Sequence, residues 1–192
     1  MRFFILIALG SFAFACGNHK PETQEPAPVK KTYFSVADYV KGEIKTIDSL
    51  PVGIMKKIIR SNKTDSAFIE RPEFRTLASV FTDPALEKAA LETKYAEHSF
   101  MDETTGYYTF TYEPTASDAP YQRIDVLVRP GEVYSRVKSI YLEKSSSQND
   151  TIINERLYWK ANNSFRITKE KVYKNQTPVV EQLLVIWDPS AY

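Results

Sequence analysis

Tyr107-Tyr108-Thr109-Phe110-Thr111-Tyr112 and Arg123-Ile124-Asp125-Val126-Leu127-Val128 are the stretches whose reading decides the fold. In the first, Tyr108, Phe110 and Tyr112 alternate with Thr109 and Thr111; in the second, Ile124, Val126 and Val128 alternate with Arg123, Asp125 and Leu127. A period of two is that of a strand with one covered face and one open face. Strand-like runs recur at 133–143, 151–159, 165–173 and 179–187. The segments between them (113–119, 130–132, 144–150, 160–164 and 174–177) carry turn residues. Connections this short join antiparallel neighbours, because a parallel pair needs a crossover of a dozen residues or more. The run 179–187 is apolar on both sides of Glu181 and Gln182, which predicts an interior or sandwiched strand.

Upstream, the period changes. Phe34, Ala37, Val40, Ile44 and Ile47 recur at steps of three and four and predict a helix over 35–47, with Ser35 and Asp38 placed as a capping box. The β-branched runs 52–60 and 66–71, split by Ser61-Asn62-Lys63-Thr64, predict a hairpin. Two short helices should follow. Pro72 opens one, with Phe74, Leu77, Ala78 and Phe81 inward; Asp83-Pro84 opens the other, with Leu86, Ala89 and Ala90 inward, fading near Tyr95. The expected fold is α+β: an antiparallel meander of about 7–9 strands, with an N-terminal helix and two short helices over one face.

Composition narrows the function. Lys and Arg number 25 against 24 Asp and Glu, which removes the basic surplus that nucleic-acid binding requires. One Cys excludes a disulfide framework and a thiolate zinc site, and two His leave little for metal or catalysis. No metal site and no cofactor is expected.

The N-terminus reads as an address. Arg2 precedes the uncharged run of thirteen residues from Phe3 to Ala15, which is short for a bilayer span and suits the apolar core of a signal peptide. Ala13-Phe14-Ala15 is a small-x-small cleavage site directly before Cys16. With Cys in that place, the segment resembles a type II signal peptide of bacterial lipoproteins, although Ala13 and Phe14 depart from the usual Leu and small residue. The resemblance implies that 1–15 is removed, that Cys16 carries a thioether-linked diacylglycerol, and that two or three acyl chains anchor the chain stably. Residues 17–31, GNHKPETQEPAPVKK, then form a flexible tether, and 32–192 a single domain. Gly17 in place of Asp after the Cys implies sorting to the outer membrane. The chain is similar to small uncharacterised lipoproteins of Bacteroidota. Asp48-Ser49-Leu50, Asp65-Ser66-Ala67 and Asp150-Thr151-Ile152 match the O-glycosylation acceptor pattern of that phylum, and each also fits an ordinary turn.

Within the domain, chemistry is sparse. His98 stands alone in Glu97-His98-Ser99, and adjacent side chains on an extended chain point to opposite faces, so no relay forms. There is no H-E-x-x-H, P-loop or G-x-G-x-x-G motif, and no catalytic residue is assigned. Paired carboxylates need no motif, and Asp125, Glu143 and Glu155 lie in strands, so a hydrolase ranks third among the readings. Aromatic residues are more informative. Tyr107, Tyr121, Tyr134, Tyr141 and Tyr158 are expected to line one sheet face, and Arg123, Arg136, Lys138, Arg156 and Arg166 to form cross-strand ion pairs on a solvated face. The leading expectation is a cell-envelope lipoprotein with a non-enzymatic binding or assembly role, its partner an envelope protein, glycan or lipid. The alternative is a half-barrel carrier of lipid or another apolar ligand.

Overall fold

The computed structural model describes residues 33–61, 63–129, 137–174 and 176–187. The signal segment, Cys16, Tyr134 and Arg136 lie outside them. The first element, helix α1 (Val36–Ser49), starts where the sequence predicts. Ser35 caps it: Ser35 Oγ accepts from the Asp38 backbone N–H at 3.3 Å and donates to the Asp38 carboxylate at 2.7 Å. The buried stripe is Val36, Ala37, Val40 and Ile47, with Ile44 half-buried against the core.

Nine antiparallel strands form one sheet: β1 (Ile54–Arg60), β2 (Lys63–Ile69), β3 (Tyr95–Asp102), β4 (Tyr107–Pro114), β5 (Arg123–Val128), β6 (Val137–Gln148), β7 (Thr151–Lys160), β8 (Ser164–Tyr173) and β9 (Val179–Ile186). Their order is β2-β1-β9-β8-β7-β6-β5-β4-β3. The seven strands β3 to β9 are the expected meander, and the hairpin β1–β2 adds to it by pairing β1 with β9. β9 is therefore an interior strand, as its apolar sequence implies, although only its C-terminal half is buried.

The order places β2 and β3 at opposite edges of the sheet, so the chain between them must cross it. That connection carries α2 (Arg71–Ala78), two 3-10 turns (Ser79–Phe81 and Pro84–Leu86) and α3 (Lys88–Lys94). Together with α1 it covers one face. Phe74, Phe81, Leu86 and Leu91 descend into the sheet and are fully buried against Ile124, Ile140, Leu142, Trp159 and Phe165. At the centre, Trp159 stacks on Phe165 at 5.6 Å, and Phe81 meets the edge of Trp159 at 5.3 Å. Buried aromatics contribute about 2–3 kcal/mol each by area, and such ring pairs add about 1 kcal/mol.

Four boundaries differ from the sequence reading. Asp83-Pro84 opens a 3-10 turn, not the helix itself; α3 begins only after Glu87, which shifts the inward residues from Leu86, Ala89 and Ala90 to Leu86 and Leu91. Where the sequence predicts the second short helix to fade, β3 already begins at Tyr95, and His98 lies within that strand. The turn expected over 144–150 is only Asn149-Asp150, whose φ of 45° and 53° suit a two-residue hairpin loop, and β6 runs on through three serines to Gln148. The N-terminal hairpin starts its second strand at Lys63, three residues earlier than expected.

Candidate functional site

No helix among the described residues lies on the sheet's other face. Register and alternation define its side chains. Across the middle run Thr111, Asp125, Tyr141, Tyr158, Arg166, Leu184 and Lys57, each opposite the next on the neighbouring strand. The next row is Arg123, Glu143, Arg156, Thr168 and Gln182. Leu184 is 8% exposed yet stands apart from the main core, because the flanking Arg166 and Lys57 stems share its face.

The charges on this face are interlocked. Arg123 Nε donates to Asp125 at 2.7 Å, and the Thr111 hydroxyl donates to the same carboxylate at 2.7 Å. Arg156 stands 4.0 Å from Glu143 and 3.9 Å from Glu170, and Asn154 links Glu170 to Ser145. Among the described residues Arg156 makes the expected cross-strand pairs, whereas Arg123 pairs within its own strand and Lys138 and Arg166 form no ion pair; each pair is worth under about 1 kcal/mol at such exposure. Tyr141 donates to Glu143 at 3.3 Å; partial burial and that carboxylate raise its pKa, so the phenol stays a neutral donor. Arg166 has no ion-pair partner among the described residues and stands directly beside Tyr158, which is 39% exposed.

Of the five tyrosines expected on one face, the structure brings two together, Tyr141 and Tyr158, as a direct register pair. Tyr107 shares the face but lies four residues before Thr111 on β4, about 13 Å away at strand rise. There it accepts a hydrogen bond from Arg129 at 3.3 Å, which lowers its pKa, and the guanidinium lies 5.7 Å from its ring centre. Tyr121 does not join the face. It is fully buried, and its hydroxyl donates to Asp83 at 3.0 Å. Parity counted back from Ile124 would put it outside, but β5 begins at Arg123, and before that the backbone is not extended strand. Tyr134 lies outside the described residues.

Tyr121 belongs to a set of buried tyrosines that strap the helical layer to the sheet edge. Tyr95 Oη accepts from the Tyr121 backbone N–H at 3.0 Å, Tyr112 Oη accepts from the Phe34 N–H at 2.9 Å, and Tyr33 donates to the Tyr95 carbonyl at 3.1 Å. Burial drives the pKa of Tyr112 and Tyr121 far above the ordinary phenol value, which keeps these hydroxyls protonated.

The resources of the other readings are also placed. His98 is exposed, with Nε2 3.7 Å from Glu113, while its neighbour Glu97 is buried on the opposite face. Asp125 and Glu143 carry arginines on the open face, whereas Glu155 lies on the helix side between Lys144 at 2.9 Å and Lys169 at 2.6 Å. Burial raises the Glu155 pKa, but the two ammonium groups outweigh it and hold the carboxyl below its ordinary range. A glycosidase general acid needs the reverse shift. No group of three or more metal-ligating side chains occurs among the described residues. No helix among them is long and apolar enough to cross a membrane.

A carrier needs an empty apolar interior. Here the space between helices and sheet is filled by Phe74, Phe81, Trp159, Phe165 and Trp187. Open volume lies on its margin, and two such places are notable. One, of about 400 Å³, lies where Ile47 and Leu50 at the end of α1 approach Phe68 and Trp187. The other, of about 200 Å³, lies between α2 and the sheet near Glu155. Comparison of the chain with protein-family models, with curated proteins and with solved structures finds no match.

Proposed function

We propose that the chain is a cell-envelope lipoprotein, anchored in the outer membrane through lipid on Cys16, whose folded domain binds a protein partner through the open face of its sheet. The anchor rests on the sequence: Arg2, the apolar run to Ala15, a small-x-small site before Cys16, and a Pro-rich tether. A tether has a use when something folded must stand off the membrane.

The observation that carries the binding role is the row Tyr141–Tyr158–Arg166–Leu184 at the middle of a nine-stranded face that no described helix covers. Tyrosine and arginine are among the residue types that dominate protein interfaces. Arg123, Asp125, Glu143 and Arg156 frame the row with neutralised charge, so a partner meets little net field there, and Arg166, with no ion-pair partner among the described residues, is the cation of the row that it would match. The partner surface that fits presents a carboxylate to Arg166 and apolar or aromatic area to the two tyrosines.

Site-specific photocrosslinking in cells tests this. A photoreactive phenylalanine replaces Tyr158, or replaces Lys45, which is exposed on the outer side of α1. A discrete adduct from position 158, absent from position 45 and lost with Arg166→Ala, supports the face. Equal labelling from both positions, or an adduct indifferent to Arg166, overturns it. For the anchor, Cys16→Ala should move the protein out of the membrane fraction and abolish labelling by a palmitate analogue. Unchanged partitioning would sink the lipoprotein reading.

A further inference from the structure

On the helix-covered face, one row across the sheet alternates in charge: Lys144, Glu155, Lys169, Glu181 and Arg60 stand opposite one another on β6, β7, β8, β9 and β1. The preceding row is entirely aliphatic: Leu142, Leu157, Ile167, Leu183 and Ile58. Between the two rows the helical layer ends. The resulting groove has a floor of Leu157, Ile167 and Leu183, a roof of Leu77 and Val80, and Lys144 and Lys169 at its rim.

We propose that this groove binds a small amphipathic monoanion, a medium-chain alkyl carboxylate, with its tail on the aliphatic row and its head between Lys144 and Lys169. Three observations define the occupant. The floor and roof are apolar, so the buried part is a hydrocarbon. The volume, about 200 Å³, equals that of some six or seven waters at ~30 Å³ each, room for a chain of roughly that many methylenes. The rim triad of two lysines and one glutamate carries one net positive charge, and Glu155 occupies one donor direction on each ammonium. Glu181 is already taken by Arg60, so the row's second carboxylate does not repel an incoming anion at full strength. A monoanion at the rim brings the triad to neutrality, and each ammonium keeps two further donors to offer.

Calorimetric titration of the full chain tests the assignment, with Cys16→Ala introduced so that no acyl group of its own competes. Octanoate should bind saturably at one site. Acetate, which has the head without the tail, and 1-octanol, which has the tail without the charge, should each bind at least tenfold more weakly. Lys169→Gln removes half of the head site, and Thr76→Trp fills the groove mouth from an exposed position on α2. Each should weaken octanoate at least tenfold while the domain stays folded, Lys169→Gln with the small drop in melting temperature that loss of its Glu155 pair implies, and Lys45→Ala, exposed on the outer side of α1, should leave octanoate affinity unchanged. Failure of octanoate to saturate by about 1 mM, equal binding of acetate or octanol, or full affinity in both groove variants overturns the proposal.

Discussion

Tyr121 allows the sharpest test of how the tyrosines divide between core and face. Its ring is fully buried, and its hydroxyl donates to Asp83 Oδ2 at 3.0 Å. Tyr121→Phe keeps the ring and deletes that bond. A hydrogen bond to a charged acceptor contributes about 1.5–3 kcal/mol. Asp83 is half-exposed and keeps the Ala85 N–H at 2.9 Å through its other oxygen, so water can replace part of the loss. The expected cost is therefore about 1–2 kcal/mol, which for a domain of this size lowers Tm by about 3–6 °C. Tyr121→Ala also opens a cavity, and should cost about 3–5 kcal/mol. Tyr158→Ala, at a site 39% exposed, should cost under about 1 kcal/mol. Urea unfolding of the three variants, with Asp83→Asn completing a double-mutant cycle, measures each quantity. A coupling energy near zero between Tyr121→Phe and Asp83→Asn refutes the strap. Equal losses for Tyr121→Ala and Tyr158→Ala refute the division into core and face.

Glu155 predicts an acid limb of stability. Its folded pKa lies below the unfolded value near 4.3, so its stabilisation is fully present above that pH and is lost as pH falls through the lower folded value; Glu155→Gln should flatten the loss of urea midpoint between about pH 5 and 3. An unchanged slope there would mean that the Lys144–Glu155–Lys169 triad is not coupled to folding. Asp150, at φ 53° in the β6–β7 turn, occupies a conformation that glycine adopts without strain, so Asp150→Gly should stabilise by about 0.5–1 kcal/mol, and a lower Tm would contradict the two-residue turn. A chain starting at Lys31 keeps every buried residue described and should unfold cooperatively; a molten product would show that earlier residues complete the core.

What could be read from the sequence was what depends on near neighbours. The start of α1 was legible because Ser35 and Asp38 act on each other three residues apart. The phase of α3 was not. Asp83 does cap a turn, as its sequence signals, but that turn is 3-10, and Glu87 breaks the helical path before Lys88. A helical wheel drawn from Pro84 then puts Ala89 inward, where the fold puts Leu91. The length of β6 was hidden for a related reason: Ser145, Ser146 and Ser147 look like loop residues, yet they pair with Asn154, Ile153 and Ile152 because the hairpin needs only Asn149-Asp150 to turn. The pairing of β1 with β9 joins residues more than a hundred positions apart, and nothing local in 54–60 names its partner. At the candidate site, parity placed Tyr141 and Tyr158 on the open face and failed for Tyr121, which precedes its strand.

The groove and the filled interior have one physical origin. β6, β7 and β8 have 12, 10 and 10 residues and run about 33–40 Å. The connection over 70–94 must cross from β2 to β3 within the same stretch of chain that supplies the cover, and so it cannot also extend along the strands. Where cover is present, the sheet presents Trp159 and Phe165, then Leu157 and Ile167, and the helices press directly on them. Where cover stops, the next row meets water and must be charged. Alternating Lys144, Glu155, Lys169, Glu181 and Arg60 satisfies each charge from its neighbour. The step from aliphatic to charged row leaves a gap under the end of the helical layer, apolar below and cationic at its lip. A ligand that is itself apolar at one end and anionic at the other matches that step, whereas a purely apolar lipid would need the interior that Phe81 and Trp159 already occupy.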